Sequence, residues 1–170
     1  MADSPFTPEQ EARFDAAFSE AVSSFPPERS MAALLPALHA AQAELGWLPN
    51  PALLYVASRL KLFPTRVREV ASFYTLFHLE PVGKNHLQIC TNLSCALRGG
   101  EDLVARACER LGVKPHQVTP DGKFSVEAVS CLASCGTAPV MQVNDRRYDE
   151  KLDPEKLLKL IAELGADGAR

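Results

Sequence analysis

His86-Leu-Gln-Ile-Cys90-Thr-Asn-Leu-Ser-Cys95-Ala-Leu-Arg98-Gly99-Gly100-Glu101-Asp102 passes from a short β-type run, through a polar loop closed by two cysteines, into a helix start. Glu101 and Asp102 fall in the first turn of that helix, where negative side chains meet the positive end of the helix dipole. Further on, Phe124-Ser-Val-Glu-Ala-Val leads in the same way into Cys131-Leu-Ala-Ser-Cys135. Two strand ends, each followed by a loop with two thiols, predict four sulfurs delivered to one place.

Working outward, Leu103, Val104, Ala107, Cys108 and Leu111 recur at helical spacing after Gly100 and make one apolar stripe. The fifth cysteine, Cys108, lies on that stripe and is expected to pack in the core rather than bind anything. Pro120-Asp-Gly-Lys123 signals a turn before a strand over 124–130. A further strand is expected over 139–143, with a turn at Asn144-Asp145. Asp153-Pro154 then caps a last helix carrying Leu157, Leu158, Ile161 and Leu164. The order β-α-β-β-α predicts parallel neighbours for the two strands that flank a helix, and an antiparallel relation for the last two, joined by a short loop. That is a mixed sheet with helices against it, similar to the core of a thioredoxin fold.

Before residue 82 the pattern is helical. Thr7-Pro8-Glu-Gln10 carries the signature of a capping box, and Phe14, Phe18 and Val22 follow at intervals of one turn. A second helix is expected through Met31, Leu34, Leu38, Ala41 and Leu45 to Gly46, with Pro36 kinking it or marking its first turn. Asn50-Pro51 and Thr65 open a third and a fourth. Of Trp47, Phe73 and Tyr74, at least two are expected in the core. His39 and His78 have no Cys, Asp or Glu at ligand spacing and read as structural. With Pro81-Val-Gly83 as boundary, the expected fold class is α+β: an N-terminal helical region, bundle or arm, over 1–81, then a mixed-sheet domain over 82–170.

Composition narrows the function. The 170 residues are 46% hydrophobic, enough for a substantial core, and carry a net charge of −3. Lys and Arg are spread along the chain, so no nucleic-acid partner is expected. Polar residues interrupt the longest apolar stretch, so direct membrane insertion is not expected either. The start Met-Ala-Asp-Ser-Pro lacks a basic region and an apolar run, which points to a cytoplasmic protein. In a reducing compartment, clustered cysteines serve metals or redox chemistry more often than structural disulfides.

Three chemistries compete for the four thiols. A binding module stabilised by zinc on four cysteines tolerates pairs spaced by two to four residues. Dithiol exchange wants two intervening residues at a helix start, and neither pair has them. A [2Fe-2S] cluster takes two thiolates per iron, and wants small or polar fillers that leave backbone N–H groups free for sulfur: Thr91, Asn92, Ser94, Ala133, Ser134 and Gly136 suit this. No glycine-rich dinucleotide fingerprint follows a strand, so no dinucleotide site is expected on this chain.

The stretch from Cys90 to Glu101, together with Val129-Ser-Cys131-Leu-Ala-Ser-Cys135-Gly-Thr-Ala-Pro139-Val-Met-Gln-Val-Asn144, resembles the small thioredoxin-like [2Fe-2S] subunit of respiratory NADH dehydrogenase, complex I. Leu38-His39-Ala-Ala-Gln42 through Trp47-Leu-Pro49, and Val70-Ala-Ser-Phe73-Tyr74, are similar to that family's N-terminal region, so the likeness covers nearly the whole chain. The resemblance implies that Cys90, Cys95, Cys131 and Cys135 ligate one [2Fe-2S] cluster. It further implies an electron-transfer subunit of an oxidoreductase, docked in the peripheral arm on a flavoprotein that binds NADH and FMN, and so held peripherally on the inner face of the bacterial membrane. Related subunits serve NAD-linked formate dehydrogenases and NAD-reducing hydrogenases. Two positions depart from the family: Ser130 stands where an acid is common, and Ala133 where a Gly is common. Loss of the acid should make the cluster easier to reduce.

Overall fold

A computed structural model describes residues 4–144 and 147–166. The division between two compact units falls between Pro81 and Val82.

In the first unit, the Thr7 hydroxyl accepts from the Gln10 N–H while the Gln10 side chain accepts from the Thr7 N–H, a reciprocal cap that starts α1 (Pro8–Ser23). A 3-10 helix (Pro27–Ala33) leads into α2 (Leu34–Leu45), with Pro36 in its first turn, where a missing N–H costs nothing. Helices α3 (Asn50–Leu60) and α4 (Pro64–Phe73) complete the unit. Phe14, Leu38, Val56 and Val67 are fully buried among their inner faces. The Gln42 side chain donates to the Leu76 carbonyl at 2.9 Å and accepts from the His78 N–H at 2.7 Å, pinning the segment after α4 to α2. The aromatic expectation fails here. Phe73 is 77% exposed and Tyr74 38%, and Trp47 is half-buried. Val67 and Ala71, one turn apart, form the inward side of α4, and Phe73 falls away from it.

The second unit contains β1 (Asn85–Cys90), α5 (Leu93–Ala96), α6 (Gly100–Leu111), β2 (Phe124–Val129), β3 (Met141–Val143), β4 (Arg147–Asp149) and α7 (Pro154–Ala166). The sheet order is β2-β1-β3-β4, with β1 and β2 parallel, β3 antiparallel to β1, and β4 antiparallel to β3. The expected mixed sheet is therefore present. The last two expected strands do run in opposite directions, but they are not hydrogen-bonded to each other, because β1 lies between them. β3 begins at Met141 rather than 139, and β4 had no alternating apolar pattern to announce it. Asn144 makes the turn after β3 with φ of 52°, while Asp145 lies outside the described residues. The Asn144 side chain accepts from the His86 N–H at 2.7 Å and donates to the Lys84 carbonyl at 2.7 Å, which fixes the start of β1.

One face of the sheet packs Leu87, Ile89, Val126, Met141 and Val143 against Leu103, Val104 and Ala107 of α6 and Leu157, Leu160 and Ile161 of α7. Each such fully buried large side chain contributes about 1.5–3 kcal/mol. Cys108 is half-buried against this core, and burial raises its pKa. Among the described residues no helix is long and apolar enough to cross a membrane.

Candidate metal centre

Cys90 is the last residue of β1, and its position follows from the strand order. Because β2 and β3 flank β1, the connection between them must arch over the C-terminal end of β1. That connection carries Cys131 and Cys135. Backbone bonds close the arch on both sides: the Thr91 N–H donates to Val129 O at 3.0 Å, and the Cys90 N–H to Val140 O at 3.1 Å.

The first loop is not the open turn that its polar sequence suggests. Asn92 Oδ1 accepts from the Leu93 N–H at 2.8 Å, and the single turn α5 folds Cys95 back towards Cys90. Cys90 and Cys95 are only 3% and 2% exposed, whereas Cys131 and Cys135 are exposed. Cys90, Cys95, Ala138 and Val140 form a small buried apolar cluster, with Val129 and Leu132 packed on it, so the two loops share one nest.

The sulfurs sense one another. Burial above all, then the neighbouring Cys90 thiol, pushes the Cys95 thiol above its ordinary pKa, and Cys135 adds to this; a backbone hydrogen bond from Val140 works the other way. A metal ion or cluster supplies the positive charge that offsets several thiolates held in one place. The Ala133 N–H donates to Cys131 Sγ at 3.3 Å, the kind of backbone support that thiolate-bound clusters use. All five cysteines are free of disulfides.

The two metal readings ask for different arrangements of sulfur. A tetrahedral zinc site with Zn–S bonds of about 2.3 Å places all four sulfurs about 3.8 Å apart. Two cysteine pairs, one from each loop, suit a [2Fe-2S] core, in which each iron takes two thiolates.

Two features of the second loop take their meaning from the structure. Ala133 sits at φ of 56°, a left-handed conformation that explains why glycine suits this position. Ala133→Gly relieves about 1–2 kcal/mol of crowding and returns about 0.4–1 kcal/mol through the freer unfolded chain. The variant should therefore gain roughly 0.5–1 kcal/mol in urea unfolding, and a loss would contradict the strain reading. The other feature is Glu150, just after β4. Its Oε1 accepts from the Ser134 hydroxyl at 2.5 Å, and Ser134 also meets the Thr137 hydroxyl at 2.7 Å. Hydrogen bonds from Ser134 and then Thr137 hold the Glu150 carboxyl below the ordinary glutamate range. A carboxylate thus stands beside Ser134, next to Cys135, although Ser130 supplies none. Its sequence distance from the cysteines hid it.

A profile of the thioredoxin-like [2Fe-2S] ferredoxin family matches residues 18–165. An NADH-quinone oxidoreductase subunit of Rickettsia bellii is 47% identical over 147 residues, covering 86% of this chain and 87% of that protein. An NADH-quinone oxidoreductase subunit of Thermus thermophilus is 46% identical over 147 residues, 86% of this chain and 81% of that protein. Among solved structures, an NAD+-reducing [NiFe]-hydrogenase in the air-oxidized state is similar with a TM-score of 0.71 at 26% identity; the match covers 80% of this chain but only 23% of the hydrogenase chain.

Proposed function

We propose, for a chain that belongs to the thioredoxin-like [2Fe-2S] ferredoxin family, that it is an electron-transfer subunit of NADH-quinone oxidoreductase, with Cys90, Cys95, Cys131 and Cys135 holding one [2Fe-2S] cluster. The cluster supplies a site that takes up and gives back one electron. The observation that carries the ligand assignment is the shared nest, in which the buried Cys90 and Cys95 pack with Ala138, Val140 and Leu132 from the other cysteine loop. The chain's own work is to hold the sulfurs, bury one pair and present the other. Cys90 and Cys95 anchor the inner side in apolar surroundings, and Cys131 and Cys135 form the solvent-facing side. A partner's redox group can approach that side closely.

The partner in this reading is a flavoprotein carrying NADH and FMN within the peripheral arm of the complex, and the chain rests through that assembly on the inner face of the bacterial membrane. Leu93, 70% exposed, and Leu97, 79% exposed, flank Cys95 and offer apolar anchors for it. A tagged chain purified from native membranes should bring along a yellow, FMN-containing subunit with NADH dehydrogenase activity. Leu97→Glu should weaken that retention about tenfold or more, about 1.4 kcal/mol, while the cluster stays in place. Retention of the flavoprotein at wild-type levels would rule out the leucine anchor. A second reading, the equivalent subunit of an NAD-reducing hydrogenase, draws on the likeness at 26% identity. The relatives at 46% and 47% identity favour the quinone-linked assembly, and a nickel-containing partner in the same purification would reverse that preference.

A further inference from the structure

Asn92 and Arg98 stand three residues before and three residues after Cys95, and each reaches across to the other cysteine loop. Asn92 Nδ2 donates to the Ser130 carbonyl at 2.7 Å, on the residue immediately before Cys131. Arg98 Nη1 donates to the Ala138 carbonyl at 3.0 Å, three residues after Cys135. The segment from 131 to 137 is thus gripped by a side chain at each end, both from the loop that carries Cys90 and Cys95. Backbone bonds hold the strands that enter and leave this loop, while within its own span the bonds are local turns, the Ser134, Thr137 and Glu150 contacts, and the Lys151 N–H donating to the Thr137 carbonyl at 2.8 Å near its far end.

We infer that Asn92 and Arg98 are positioning residues that fix the separation between the two sulfur pairs. The inference deepens the cluster reading above and rests on it. Arg98 also carries a positive charge, which could tune the cluster without positioning anything. Asn92 is neutral, and so separates the two roles. Polar groups that orient metal ligands without touching the metal change metal affinity by about 10–100-fold when removed. An arginine carbonyl bond also depends on the planar fork and reach of the guanidinium, which lysine does not reproduce.

The test uses the full chain loaded with its cluster, and three variants: Asn92→Ala, Arg98→Leu and Arg98→Lys. Iron release to a chelator, the paramagnetic spectrum of the reduced protein and its midpoint potential are measured on each, with circular dichroism to confirm that the unit is folded. The expected result is release accelerated about tenfold in all three, including the neutral Asn92 site and the charge-conserving Arg98→Lys, with altered g-values. Wild-type release and g-values in Asn92→Ala and Arg98→Lys, with only the potential of Arg98→Leu shifted, would overturn the inference and leave Arg98 a purely electrostatic role. A wild-type protein that holds iron and sulfide while all three variants behave like it defeats the clamp alone. A wild-type protein that holds neither defeats the cluster reading, and the inference with it.

Discussion

Alanine at any one of Cys90, Cys95, Cys131 or Cys135 is expected to lower the cluster content of the purified chain by at least about tenfold, whereas Cys108→Ser keeps it. The contrast follows from where the sulfurs stand. Four of them sit at the C-terminal end of β1 and in the loop that arches over it, while Cys108 lies on the stripe of α6 that faces the helix–sheet core. Deleting a thiolate leaves an iron with an incomplete set of ligands. The two pairs should not respond identically. Losing Cys90 or Cys95 exposes the core on its buried side, where no water can replace sulfur without breaking the apolar nest. Losing Cys131 or Cys135 leaves a position open to solvent, so residual, labile cluster is more plentiful there. Visible absorption, iron content and the signal of the reduced protein read the series. Normal spectra in several of the four alanine variants, or loss of the cluster on Cys108→Ser, would contradict the assignment.

Gly100→Ala should cost about 1–3 kcal/mol of unfolding free energy, or more, and loosen the cluster with it. Gly100 opens α6 behind Gly99, and a β-carbon there would stand 2.7 Å from the Cys90 carbonyl oxygen, 3.0 Å from the Cys95 carbonyl oxygen and 3.1 Å from the Cys95 carbonyl carbon. All three are backbone atoms of Cys90 and Cys95, so none can swing aside as the tip of a side chain could. The sign of the effect is diagnostic. In an unobstructed helix, glycine to alanine stabilises by about 0.8–1 kcal/mol, because alanine is the better helix former. A lowered urea midpoint together with faster iron loss therefore reports the close approach of the helix to both cysteines. An unchanged or raised midpoint would contradict it.

Local periodicity made some of this legible in the sequence, and its absence hid the rest. The stripe of Leu103, Val104, Ala107 and Cys108 has the period of a helix facing a core, and α6 buries its first three members. The capping box at Thr7 and Gln10 is a contact between residues three apart, so it too could be read directly. Pairing between strands is not a local property. The order of elements gave the directions of β1, β2 and β3, but not that β3 pairs with β1 on the side away from β2. That exchange puts the second cysteine loop over the end of β1, so the convergence of the two loops depends on a tertiary choice that no short stretch encodes. α5 was hidden because one turn of Leu93-Ser-Cys-Ala has too few residues to show a period. Phe73 and Tyr74 misled because aromatic content alone does not say which side of a helix end faces inward. The departure at Ala133 could be read directly, but its left-handed backbone could not, and Glu150 became meaningful only through a hydrogen bond across the loop.

The central claim is that four cysteines from two loops hold a diiron core with bridging sulfide. Elemental and acid-labile sulfide analysis of the anaerobically purified chain measures this most directly. The account predicts about two iron and about two sulfide per chain, with a paramagnetic signal that appears on one-electron reduction. A colourless protein containing about one zinc and no sulfide would contradict it.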